Sequence, residues 1–176
     1  KDYDRAIREA VEAEKAVHDI KDLPPLHGIP IGIKDLNATE GLRTTWGSLL
    51  FKDHVPKADE ALVARLRRAG AIIVGKTNTP EFGSGTATNN LVYGPTHNPF
   101  DLERTSGGSS GGSGAALATG MLPLCQGGDT GGSLRNPATW CGVVGFRSTP
   151  GLIPRENRTL NYTHFNVQGP MARSVA

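Results

Sequence analysis

The sequence predicts an α/β domain, and three observations carry that prediction. The chain opens on an amphipathic, charged stretch. Short apolar runs rich in β-branched residues recur at 27–33, 71–74, 121–125 and 142–146. Helical patterns and glycine-rich loops fill the spaces between them. Alternation of short buried strands with helices is the pattern of a layered α/β fold.

The elements follow in order. Residues 3–20 place Ala6, Ile7, Ala10, Val11, Val17 and Ile20 at helical spacing with charges opposite, so they predict a helix. Leu23-Pro24-Pro25 breaks it. His27 to Ile33 alternates and predicts a strand that delivers Lys34 at its end. Residues 40–57 read as irregular. Asp59 is the expected cap of a helix running to Ala69, ended by Gly70, and Ala71 to Val74 is a short buried strand. Thr77 to Arg104 reads as loop. Gly107 to Gly114 is a glycine/serine loop leading into a helix at Ala115–Ala118. Met121 to Cys125 is a strand, Gly127 to Pro137 a second glycine-rich loop, and Gly142 to Phe146 another buried strand. Gly169 to Ala176 reads as the opening of a helix with Pro170 in its first turn. That last element stops unfinished, which predicts a piece of a longer domain.

Composition narrows the function classes. The chain has 176 residues, 37% hydrophobic and 20% charged, which is globular rather than disordered. A net charge of +2 with scattered basic residues does not point to nucleic acid. No apolar run is long enough to span a bilayer. Two cysteines, Cys125 and Cys141, make no disulfide framework, and the opening stretch lacks an apolar signal-peptide core, so the expected setting is the reducing cytoplasm. Glycosylation acceptor patterns at Asn37, Asn157 and Asn161 carry little weight in that setting.

Residues Gly70 to Thr77 satisfy the phosphate-loop pattern, but the mechanism behind the pattern is missing. Its four central residues, Ala-Ile-Ile-Val, predict a strand rather than a loop, and Pro80 prevents the following helix. Lys76 is therefore expected to pack or pair locally.

Three other segments carry chemistry: Gly28-Ile-Pro-Ile-Gly-Ile-Lys34-Asp35, then Thr105-Ser-Gly-Gly-Ser109-Ser110-Gly-Gly-Ser113-Gly114, then Gly128-Asp129-Thr130-Gly131-Gly132-Ser133-Leu-Arg135-Asn-Pro137. A serine is a weak nucleophile until a base takes its proton. Two glycines before Ser133 let successive N–H groups converge on one point, a nest that favours negative charge, although Gly-Gly-Ser is also simply a tight turn. No histidine among His18, His27, His54, His97 and His164 sits where a catalytic base would. Metal-ligand spacing is also missing, so neither a metal nor a cofactor is expected. Lys34, at the end of an apolar strand, is the remaining candidate. Desolvation there would lower its pKa and let it accept a proton, with an ordinary salt bridge to Asp35 or Asp129 as the alternative.

At these residues the chain resembles the amidase signature family, from about Leu26 to Ala176. Lys34-Asp35 follows a Gly-x-Pro strand, Ser109 lies in Gly-Gly-Ser-Ser-Gly-Gly-Ser, and Ser133 lies 24 positions later in Gly-Asp-Thr-Gly-Gly-Ser-Leu-Arg-Asn-Pro. Cys141-Gly-Val-Val-Gly-Phe-Arg147-Ser148-Thr149 follows, where the family's usual Lys-Pro-Thr is replaced. The resemblance implies a mixed β-sheet flanked by helices on both sides, with only its N-terminal half present. Residues 1–22 would be an N-terminal helix and 23–176 a catalytic core.

The resemblance also implies roles. Ser133 would be the nucleophile that forms an acyl-enzyme. Ser109, after a cis peptide bond, would be the bridging serine, and Lys34 the base. The N–H groups of Thr130, Gly131, Gly132 and Ser133 would form the oxyanion hole. Ser110, Asp129 and Arg135 would support it. The implied activity is hydrolysis of a non-peptide carboxamide. The alternative is the glutamine-hydrolysing A subunit of a tRNA-dependent amidotransferase. The implied partner is a small-molecule amide, without nucleic acid or membrane contact, and a homodimer is compatible with it.

Overall fold

The computed structural model describes residues 3–19, 21–155 and 164–175. Five strands form one mixed sheet: β1 (Pro30–Lys34), β2 (Ile72–Thr77), β5 (Leu124–Asp129), β6 (Val144–Gly145) and β7 (Val167–Ala172). Their order is β2-β1-β5-β7-β6. β1 runs parallel to β2 and β5, while β7 runs antiparallel to β5 and β6. A separate antiparallel pair, β3 (His97–Asn98) and β4 (Asp101–Thr105), lies within the stretch expected to be loop. The helices are α1 (Tyr3–Asp19), α2 (Ala61–Arg68), α3 (Gly111–Ala118) and α4 (Arg135–Trp140).

Side-chain alternation along β1 builds two cores. Ile31 and Ile33 join Val63 of α2, Leu42 and Ile73 on one face. Leu117 of α3, Ala138 of α4, Cys125, Leu134 and Met171 form the other. Gly32 belongs to that second face: a Cβ there would lie 2.7 Å from Leu122 Cδ1 and 3.2 Å from Cys125 Sγ. Lys34 shares the parity of Gly32, so strand geometry sends it toward the loop that opens α3. Burying each of these large aliphatic side chains stabilises the sheet by roughly 1.5–3 kcal/mol.

Several local expectations are corrected. Gly169 to Ala176 does not open a helix: residues 169–172 belong to β7, and 173–175 are neither helix nor strand. Gly169 packs so closely on the Phe146 carbonyl that a Cβ would collide with it, and pairing with β5 overrides the local Gly-Pro signal. The second glycine-rich loop starts later than expected, because Gly127 to Asp129 extend β5. Asp59 does not cap α2. Glu60 holds that position without a side-chain capping bond to the helix, and Asp59 instead accepts from Glu40 N (2.7 Å) and Arg67 Nε (2.7 Å). Helix α1 buries only Ala6, while Ile7, Val11 and Val17 stay exposed. Ile20 and the acceptors Asn157 and Asn161 lie outside the described residues. Asn37 is 1% exposed, which closes it to a glycan.

Candidate active site

β1 ends at Lys34, and its side chain is buried at 1% exposure. Its Nζ lies 2.7 Å from Ser109 Oγ and 2.9 Å from Ser110 Oγ. Burial drives the Lys34 ammonium down to about 7; the Asp129 carboxylate opposes this and the Arg155 guanidinium adds to it. Near neutral pH a large fraction of Lys34 is therefore an amine with a lone pair. The salt-bridge alternative does not hold. Asp35 turns the other way and accepts from Thr45 N and Thr45 Oγ1.

The loop before α3 presents both serines. The Gly108–Ser109 peptide bond is cis. Ser109 and Ser110 are buried, and Ser110 makes three bonds to β5 and the second loop. Its N–H donates to the Ser133 carbonyl (3.2 Å), and its hydroxyl contacts both O and N of Gly128 at 3.3 Å. Ser113 extends the network, meeting Thr77 Oγ1 at 2.7 Å and donating to Gln126 O at 3.0 Å.

Asp129 organises the second loop. Its carboxylate accepts from Gly132 N (2.9 Å), Leu134 N (3.2 Å), Arg135 Nε (3.0 Å) and Arg147 Nη1 (2.8 Å). Burial pushes the carboxyl up, but Arg135 and the two amides outweigh it and hold it at about 2. This geometry corrects one expectation: the Gly132 N–H faces the Asp129 carboxylate and is not open to an oxyanion. Gly132 adopts φ +119°, a conformation that glycine accepts without strain, and this lets the N–H turn inward. Among the described residues, the N–H groups of Gly131 and Ser133 donate to no protein acceptor, and the half-buried Ser133 hydroxyl makes no hydrogen bond.

Sequence reasoning missed three residues here. Arg147, read only as a departure from the family pattern, also donates to the Asp129 carbonyl at 2.8 Å. Gln126 and Gln168 form a buried pair behind Lys34, whose backbone N–H donates to Gln126 Oε1 at 3.1 Å. A polar residue between Cys125 and the glycines was the available signal for Gln126. Lys76 behaves as expected. It is the penultimate residue of β2 and donates to the Asn37 carbonyl, Thr39 Oγ1 (3.0 Å) and Thr44 Oγ1 (3.1 Å).

Lys34, Ser109, Thr130, Arg155 and Gln168 line a small cavity of about 70 Å³. Among the described residues no group of three or more His, Cys, Asp or Glu could hold a metal ion, and no helix is long and apolar enough to cross a membrane. The arrangement can pass a proton between a serine hydroxyl and a neutral amine beside free backbone N–H donors.

Residues 2–176 match the sequence profile of the family described as Amidase. The chain is 46% identical over 171 residues to the A subunit of the glutamyl-tRNA(Gln) amidotransferase from Roseiflexus sp. (strain RS-1), covering 97% of this chain and 34% of that protein. It is 44% identical to the acylamidase of Rhodococcus erythropolis, over 99% of this chain and 37% of that protein. The solved peptide amidase of Stenotrophomonas maltophilia superposes with a TM-score of 0.85 at 34% identity, over 96% of this chain and 36% of that one. The chain thus spans about a third of the length of these relatives.

Proposed function

The chain belongs to the amidase signature family, and from that premise we propose that it carries the catalytic core of an amidase that hydrolyses a non-peptide carbon–nitrogen bond. The observation that carries the reading is the 2.7 Å contact between Ser109 Oγ and a buried Lys34 held near neutrality. In this reading residues 23–176 form that core and residues 1–22 are an N-terminal arm.

Ser133 Oγ attacks the substrate carbonyl as its proton passes to Ser109 and that of Ser109 passes to Lys34. The carbonyl electrons move onto oxygen, and the N–H groups of Thr130, Gly131 and Ser133 receive the oxyanion. The intermediate collapses, the carbon–nitrogen bond breaks, and the proton returns through Ser109 to the leaving nitrogen. Water then attacks the acyl-enzyme through the same relay and releases the acid. Ser110, Asp129 and Arg135 hold the two loops in place, and unpaired Cys125 and Cys141 fit a reducing cytoplasm. Release of ammonia or amine from carboxamides by the full protein tests this. Hydrolysis surviving Ser133→Ala would remove the assignment.

A second reading rests on the 46% identity to the amidotransferase protein. The same relay would then hydrolyse glutamine on behalf of a partner protein. Glutaminase activity that depends on tRNA and ATP would favour it over the free-standing amidase.

A further inference from the structure

Two arginines meet Asp129, and they hold different parts of it. Arg135 is bidentate to the carboxylate through Nε (3.0 Å) and Nη2 (3.1 Å), and its side chain stays 55% exposed. Arg147 reaches the same carboxylate through Nη1 at 2.8 Å, and that nitrogen also donates to the Asp129 carbonyl at 2.8 Å. The carboxylate is thus braced twice, whereas of these two side chains only Arg147 holds the backbone. The place of that contact matters. β5 ends at Asp129, and the next peptide leaves the sheet. The Asp129–Thr130 peptide is trans, so its C=O and N–H point opposite ways in one plane. A guanidinium that holds the carbonyl therefore sets the direction of the Thr130 N–H on the far side. Thr130 lines the cavity that contains Lys34 and Ser109.

Arg147 is itself held on both sides. The Phe146 N–H donates to the Pro170 carbonyl at 3.0 Å, and the Ser148 hydroxyl donates to the Gln168 carbonyl at 2.8 Å, which registers its neighbours against β7. The guanidinium also donates to the carbonyls of Phe165 (3.2 Å) and His164 (3.3 Å), in the chain that leads into β7. One rigid, planar donor group thus joins the turn after β5 to the approach to β7.

We propose that Arg147 is a positioning residue for the hydrolysis: by holding the Asp129 carbonyl it aims the Thr130 N–H at the oxyanion. This rests on the amidase reading above and adds to it a residue that touches no reacting atom. Arg135, which meets the carboxylate alone, steadies the loop without aiming that donor.

The test sets a tetrahedral anion against the ground state. In the full protein, kcat and KM are measured for butyramide and Ki for propylboronic acid, which carries the same alkyl group. The Ser133 oxygen adds to boron, the serine proton passes through Ser109 to Lys34, and the adduct is a tetrahedral anion. Arg147→Met is expected to lower kcat and raise Ki by roughly tenfold to a hundredfold, the scale of misdirecting one oxyanion donor. KM should move by less than about threefold, because the contact serves the transition state. Neither KM nor Ki depends on how much of the enzyme is folded, so a loss of stability alone leaves their ratio unchanged. Arg135→Met removes carboxylate contacts without touching the carbonyl, and its rise in Ki relative to KM should be about tenfold smaller. Arg147→Lys keeps the charge but not the planar fork, and stands in if Arg147→Met does not fold, with a rise of about threefold expected. A ratio of Ki to KM unchanged in the Arg147 variants, or raised as much by Arg135→Met, would overturn the inference and leave the amidase reading standing. No hydrolysis of butyramide by the wild type would count against that reading, and the inference would fall with it.

Discussion

Lys34 Nζ lies 2.7 Å from Ser109 Oγ, joining the end of β1 to the loop that opens α3 across 75 positions of sequence. The contact exists because strand alternation turns Lys34 away from the Ile31–Ile33 core and toward the glycine-rich loop. Everything proposed about the chemistry depends on that one residue being buried and yet able to lose its proton.

The first prediction follows from the Lys34 pKa of about 7. Acylation by an activated amide should fall about tenfold per pH unit below 7, as the neutral amine is lost, and level off above pH 8. The same shift has a stability sign. The folded pKa lies below the ordinary lysine value, so the unfolded chain binds more protons and stability rises with pH between about 7 and 10.5. Lys34→Met should be inactive yet more stable at pH 6, by roughly 2–4 kcal/mol after the two hydroxyl contacts are lost. That advantage should shrink toward pH 10. Denaturant melts at both pH values check it.

Asp129→Asn should cost about 2–4 kcal/mol at pH 7, because it leaves Arg135 and Arg147 facing a neutral group. The folded carboxyl is held at about 2, below its ordinary value of 3.8, so its contribution is present above pH 4 and is lost as pH falls toward 2. The gap between wild type and variant, read from urea midpoints, should close over that window.

Much of the site was legible in the sequence, and the reasons are local. Lys34 follows directly from an alternating strand, and the glycines before Ser109 and Ser133 announce turns that only glycine makes well. The rest depended on pairing between distant segments. Gln168 meets Gln126 only because β7 lies antiparallel to β5, and the Gly169-Pro170 pair argued for a helix at that point. Arg147 looked like a lost proline motif until the fold brought it to Asp129. Gly132 was assigned to the oxyanion hole because a nest of N–H groups can point either outward or toward a buried carboxylate, and the sequence does not distinguish the two.

Gly112→Ala should prevent α3 from docking. A Cβ there would collide with the Asn78 amide nitrogen and lie 2.7 Å from its carbonyl oxygen, and backbone cannot move aside as a flexible side chain does. A cost of about 3 kcal/mol or more is expected, with Ser109 and Ser110 displaced along with the helix. Circular dichroism melts read the stability, and loss of acylation reads the displacement.

The central claim is that Ser133, activated through Ser109 and Lys34, is the nucleophile. Labelling of the full protein with a fluorophosphonate, followed by mass mapping of the modified peptide, tests it most directly. The account predicts a single adduct on Ser133, and its loss in Lys34→Met as well as in Ser133→Ala. An adduct on Ser109 or Ser110, or labelling of Ser133 that survives Lys34→Met undiminished, would contradict it.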